Sequence, residues 1–256
     1  MKRLMVLLSL LVVSSMACTW SVQTLTPASE DPTQLQVETP TEIADPSPAS
    51  VTDVPANGQV LEGPDINYKG IRFTLDPALG SRLYVFNDVI SLDGATAHNI
   101  RFALSPEEYC QTWCLMVYPV AEFEQAFGSF VFPPSGYRGG AAVIFAARET
   151  ALSFENGNGD RELETFGQSH YGVSNESLNY VFRGYSTDRQ YGVFVQVPIH
   201  AANLPDIAPT IAFNSQEVLD YNQKAAESMN ALTQADFTPN LDSLDAFVAS
   251  IYVGAT

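Results

Sequence analysis

From Tyr68 onward the chain moves between two hydrophobic periods. In Tyr68-Lys-Gly-Ile-Arg-Phe-Thr-Leu the apolar residues Ile71, Phe73 and Leu75 alternate with polar ones, the signature of a strand with one buried face. Leu83-Tyr-Val-Phe, Asn99 to Leu104 and Leu115 to Val120 repeat that theme. Two hairpins are predicted further on. In the first, Ala151–Glu155 and Arg161–Phe166 flank Asn156-Gly-Asn-Gly; in the second, Asn179–Tyr185 and Gln190–Val197 flank Ser186-Thr-Asp-Arg. Asn-Gly pairs supply the positive φ angles of tight hairpin turns.

The helical period appears in four places. Ser105-Pro-Glu-Glu has a capping Ser, a Pro suited to the first helical position and Glu108 completing a capping box. Val120 to Phe127 places Phe123 and Phe127 four apart, with Gly128 as a stop. Near the C-terminus, Asn214 is the expected cap of a helix whose apolar face is Val218, Tyr221, Ala225, Met229 and Leu232. Asn240 caps a last helix marked by Leu241, Leu244, Val248 and Ile251. Antiparallel strands with helices before and after them predict an α+β domain: mainly antiparallel β-sheet, short helices, and two C-terminal helices packed on it.

The first 58 residues follow different rules. Lys2 and Arg3 precede an apolar run from Leu4 to Val13 and small residues before Cys18, the three-part pattern of a secretory signal peptide over residues 1–17. The run is too short to span a bilayer, which takes about 20 apolar residues. Ser-Ser-Met-Ala-Cys resembles the bacterial lipobox, with Ala17 in place and Ser15 where Leu or Val is usual. The resemblance implies that Cys18 is lipidated and becomes the mature N-terminus, anchoring the protein to a membrane. Cleavage without lipidation is the alternative. Residues 18–58 then read as a disordered tether: from Ser21 to Gly58 there is no Lys, Arg or aromatic residue, six Pro recur, and six carboxylates stand unopposed. Such a coil of about 40 residues spans on the order of 35 Å.

Charge narrows the partners. The formal net charge is −17, and from Gln59 onward 10 Lys and Arg face 23 Asp and Glu. A domain this acidic is repelled by nucleic acid and by anionic headgroups. The roughly 195 residues from 59 to 256 suffice for one domain with a substantial core.

Four segments carry a family resemblance: YKGIRFTLDPAL, LMVYPVAEF, LSFENGNG, and LNYVFRGYSTDRQYGVFVQVPI followed by FTPNLDSLDAFVASI. Over about Tyr68 to Val253 the chain is similar to uncharacterised bacterial lipoproteins, which implies location and fold rather than an activity. The GIxF opening strand, central antiparallel sheet and final helix are distantly similar to the PsbP-like fold.

Candidate chemistry is sparse. Cys110 and Cys114 form a disulfide if a helix from Ser105 brings them close, but in an extended strand they stand some 13 Å apart, beyond the roughly 7 Å limit for bridging; two buried thiols, or a redox or metal role, are the alternatives. His98, His170 and His200 sit in no motif, and there is no HExxH, GxSxG, SxxK, GxGxxG or Walker sequence. No cofactor is indicated. Asn156, Asn158 and Asp160 superficially resemble a calcium loop, but Arg161 stands where that consensus has Gly; a hairpin turn accounts for the same residues. Tyr180, Phe182, Tyr185 and Tyr191 either line a groove for a glycan or peptide or serve as core and cross-strand pairs. The leading expectation is a non-catalytic envelope lipoprotein that binds or scaffolds an envelope protein or a small extracellular ligand. The alternative is a hydrolase-like extracytoplasmic enzyme, with the clustered carboxylates Glu155, Asp160 and Glu162 as first suspects.

Overall fold

The computed structural model describes residues 58–92, 94–106, 113–128 and 142–254. The signal segment, Cys18, the tether up to residue 57, Cys110, most of the helix expected after Ser105 and the Pro- and Gly-rich stretch around residues 133–140 lie outside them. The described residues fall in one compact unit, Val51–Thr256.

Period-2 alternation produces strands where it was read, and strands form elsewhere as well. In chain order they are β1 (Gln59–Glu62), β2 (Asp65–Tyr68), β3 (Ile71–Thr74), β4 (Arg82–Leu92), β5 (Ala95–Ala103) and β6 (Cys114–Pro119). After α1 (Val120–Phe127) come β7 (Ala142–Phe154), β8 (Gly157–Gly167), β9 (Asn179–Ser186), β10 (Tyr191–Pro198) and β11 (His200–Ala201). α2 (Gln216–Asn230), β12 (Phe237–Thr238) and α3 (Leu241–Ala249) complete the chain. Eight strands form one sheet in the order β1-β4-β5-β6-β10-β9-β8-β7, with every neighbouring pair antiparallel. Two meanders, β4–β6 and β7–β10, are joined by the β6–β10 pair, so the domain is α+β with α2 and α3 packed against a large antiparallel sheet.

Alternation divides the side chains between two faces. The front face carries Leu83, Val85, Phe102, Leu115, Leu163, Phe182 and Val195, all fully buried, beneath α2, α3 and the β2–β3 hairpin. Phe73 is edge-on to both Phe102 (5.1 Å between centroids) and Phe247 (5.5 Å). The hairpin is thereby locked between sheet and α3. On the back face α1 buries Val120, Phe123 and Phe127 against Met116, Tyr118 and Phe194. Gly128, at φ 78, ends that helix and returns its N–H to Glu124 O, as a left-handed stop should.

Three local expectations shift by a residue or a role. The first hairpin turns on Glu155-Asn156, with Phe154 facing Gly157, so Asn158, Gly159 and Asp160 belong to β8. Gly159 is needed there because β9 approaches closely: a Cβ would stand 2.0 Å from Arg183 O. Asn214 does not cap α2. At φ 55 it exchanges hydrogen bonds with His170, and Ser215 caps instead, accepting from the Val218 N–H. Tyr221 is half-buried while Asn222 takes the core position, accepting from the Val173 N–H (3.0 Å) and donating to Tyr171 O (2.9 Å). Asn240 caps α3 as expected.

Candidate functional site

The covering layer does not reach the whole front face. β4 and β5 run on past the β2–β3 turn, and where they do a cleft of about 540 Å³ opens. Its floor is apolar: Ile71, Ile100, Val117 and Pro119. Its rim holds Lys69, Asn87, His98 and Tyr191, with Gly254 of the C-terminal tail beside them. Concave sites of this size, apolar with a few placed polar groups, are the usual form of small-molecule sites. Asp88 and Asn99 also border the cleft, but by alternation their side chains belong to the back face, where Asp88 pairs with buried Arg101.

Each rim residue is positioned by a separate element. Tyr68 faces Ile71, leaving Lys69 and Gly70 as a two-residue turn with φ 48 and 76, the geometry of a type I′ hairpin. Lys69 Nζ donates to Asn87 Oδ1 at 2.7 Å and lies 5.4 Å from the Tyr68 ring centroid. Asn87 Nδ2 reaches the Tyr68 hydroxyl at 3.4 Å. The tail is held by paired backbone bonds between Arg72 and Tyr252 and by the Asn156 amide, which bonds both N–H and C=O of Val253.

His98 lies past the last β5–β6 pair, Ile100 with Val117. Glu122, in the first turn of α1, serves it twice: Oε1 accepts from the His98 backbone N–H (2.9 Å) and lies 2.6 Å from Nδ1. Hydrogen bonding to the His98 ring holds the Glu122 carboxyl below its usual range. The pair leaves the imidazole Nε2 as the nitrogen not engaged by Glu122.

The residues singled out from sequence are dispersed. Tyr180 and Phe182 are fully buried in the front core, and Tyr180 donates to Asp245 Oδ1 at 2.9 Å. Tyr185 is on the back face, packed beside the α1 cluster. Tyr191 alone of the four lines the cleft. Asn158 and Asp160 sit on β8, paired on both sides, and the Asn156 side chain is occupied by Val253. No group of three or more His, Cys, Asp or Glu suited to a metal occurs among the described residues. Cys114 is buried and disulfide-bonded, with its partner outside the described residues. His170 and His200 stand away from the cleft lining.

Glu155 lies in a turn, 3.4 Å from Arg72. Glu162 instead meets Glu164, two residues along the same face of β8. Glu164 is 1 % exposed and pairs with Arg183 through bonds of 2.6 and 2.8 Å. Hydrogen bonding to that carboxylate, then burial and repulsion from Glu164 and Glu149, push Glu162 up to about 7. This carboxyl pair sits on the back face, away from the cleft.

Comparison with protein-family models, curated proteins and solved structures yields no match for this chain. Sequence reading missed Lys69 and Asn87 and left His98 as a scattered residue. The signal that could have marked Lys69 is the Lys-Gly dipeptide between two alternating runs, a hairpin pattern with an unusual first residue.

Proposed function

We propose that this chain is an exported, lipid-anchored envelope protein whose folded domain is a non-catalytic binding module, with the front cleft as its ligand site. The observation that carries the binding role is the cleft: an apolar floor ringed by four polar side chains from four separate elements. The anchor rests on the N-terminal pattern ending at Cys18 and on the resemblance to bacterial lipoproteins, and the acidic tether would hold the cleft clear of the surface. Among the described residues no helix is long and apolar enough to cross a membrane.

Two measurements test the proposal. Mass spectrometry of the mature N-terminus is expected to find acylated Cys18; an intact Met1 on cytosolic protein overturns the anchor. A thermal-shift screen with small extracellular ligands is expected to give hits that Ile100→Trp, which fills the cleft floor, abolishes. Hits indifferent to that substitution overturn the cleft as the site.

A second reading, a hydrolase-like enzyme, draws on the His98–Glu122 pair at the rim. A carboxylate orienting one imidazole nitrogen leaves the other as a general base. Among the described residues no Ser, Thr or Cys lines the cleft, so such a base would activate water. Turnover of an ester, amide or glycoside panel that disappears in His98→Ala would favour this reading.

A further inference from the structure

We infer that the cleft selects small amphipathic carboxylates: an apolar body on Ile71, Ile100 and Val117 and a single negative charge at Lys69. The inference rests on the cleft being the ligand site and adds the charge and shape of what fills it.

An acidic chain offers its cations many carboxylate partners. Arg72, Arg82, Arg101, Arg161 and Arg183 each face a carboxylate within 3.4 Å. Lys69 does not. Among the described residues it has no ion pair, and its contacts are the neutral Asn87 amide oxygen and the Tyr68 ring. Arg148, Arg189 and Lys224 likewise have no ion pair among the described residues, but of these cations it is Lys69 that lines the cleft. Among the lining residues the carboxylate is that of Asp88, which pairs with Arg101 at the back face, and the Glu122 carboxylate beside the rim is engaged by His98.

Neighbouring groups fit the same ligand end. Asn87 brings an amide N–H beside the ammonium, so a carboxylate there can receive a charge-assisted bond and a neutral one together. One fixed cation matches a monoanion. Among the described residues the floor has no polar side chain to meet a second charged end, and this restricts the rest of the ligand to apolar surface.

Lys69 is also a costly residue for its position. The first central position of a type I′ turn takes Asn, Asp or Gly, which tolerate positive φ. Lysine at φ 48 sacrifices local backbone preference, and Lys69→Asn removes the charge without threatening the fold.

The test uses the full chain in neutral-lipid nanodiscs, titrated calorimetrically with 3-phenylpropionate, 3-phenylpropanamide and 3-phenylpropylammonium against empty discs. The carboxylate is expected to bind about fivefold tighter than the amide, the scale of one partly exposed ion pair, and the ammonium most weakly. Lys69→Asn should bring carboxylate and amide to parity, and raising salt should narrow their difference in the parent chain. Equal affinities in the parent, or a preference for the ammonium, overturn the inference; if Ile100→Trp still abolishes binding, the cleft stands as a site for neutral or cationic ligands. Failure of all three probes, or binding indifferent to Ile100→Trp, overturns both inference and cleft.

Discussion

One sheet face is finished in two ways. At the β7–β9 end α2 and α3 seal it, and even its polar groups are enclosed: Arg161, 1 % exposed, gives Nη1 to Arg148 O (2.7 Å) and Nη2 to Asp245 (3.3 Å), while Asp245 also receives the Tyr180 hydroxyl. Arg148, at the β7 bulge, closes the end of α2 by donating to Leu232 O and Gln234. At the β4–β5 end the cover stops, and polar groups of similar kind remain open to solvent around an apolar floor. Polar residues beneath the helices are structural because they bond within the fold, although the buried Arg161 Nε finds no partner among the described residues. Those at the open end retain capacity for a ligand.

The sharpest way to break this contrast is Asp245→Ala. It strands the Arg161 charge and the Tyr180 hydroxyl under α3, and a loss of about 3–5 kcal/mol is expected in urea unfolding. A loss under about 1 kcal/mol would mean that the sealed end is wetter than its packing indicates. The apolar version compares Leu163→Ala on β8 with Val89→Ala on β4, both on the front face. Leu163 is fully buried and should cost about 2–5 kcal/mol; Val89 is 54 % exposed and should change stability by less than about 0.5 kcal/mol.

The back face supplies a pH-dependent test. Folding raises the Glu162 carboxyl from its ordinary range to about 7, so the folded state holds that proton more tightly than the unfolded chain. This contribution is fully present below about pH 4.5 and is lost as pH rises towards 7. Glu162→Gln, which mimics the protonated side chain, should therefore be more stable than the parent at pH 8, by about 1–2 kcal/mol after solvent screening of a half-exposed group. The advantage should fade towards pH 4.5 in paired urea titrations. An equal gain at both pH values would show that Glu164 does not govern Glu162. The smallest effect belongs to the open end: Lys69→Asn should raise stability by about 0.5–1 kcal/mol by relieving positive φ. Combined with the binding test, that would mark Lys69 as kept for something other than folding.

How much could be read in advance depends on the range of the interaction. The α1 stop at Gly128, the cap at Asn240 and the hairpin strands around residues 156 and 187 were legible because each is set by residues within four positions of one another. Ser215 replaced Asn214 as cap because a distant partner, His170, claimed the asparagine. The Tyr180, Phe182, Tyr185 and Tyr191 group could not be resolved by counting: alternation separates Tyr185 from Tyr180 and Phe182, and only the covering helices decide which face is sealed. Lys69, Asn87, His98 and Tyr191 carry no shared motif, since they converge through strand order and hairpin length.

By itself, then, the amino-acid order determined the α+β class, most of the longer strands and their alternation, the cap at Asn240 and the stop at Gly128, because backbone preference and side-chain period act over a few residues. Only the tertiary structure decided that β6 pairs with β10, that the helices stop short of the β4–β5 end, and that the Lys69 ammonium stands over the apolar floor exposed there. These outcomes depend on contacts between residues far apart in the chain, which no local pattern encodes.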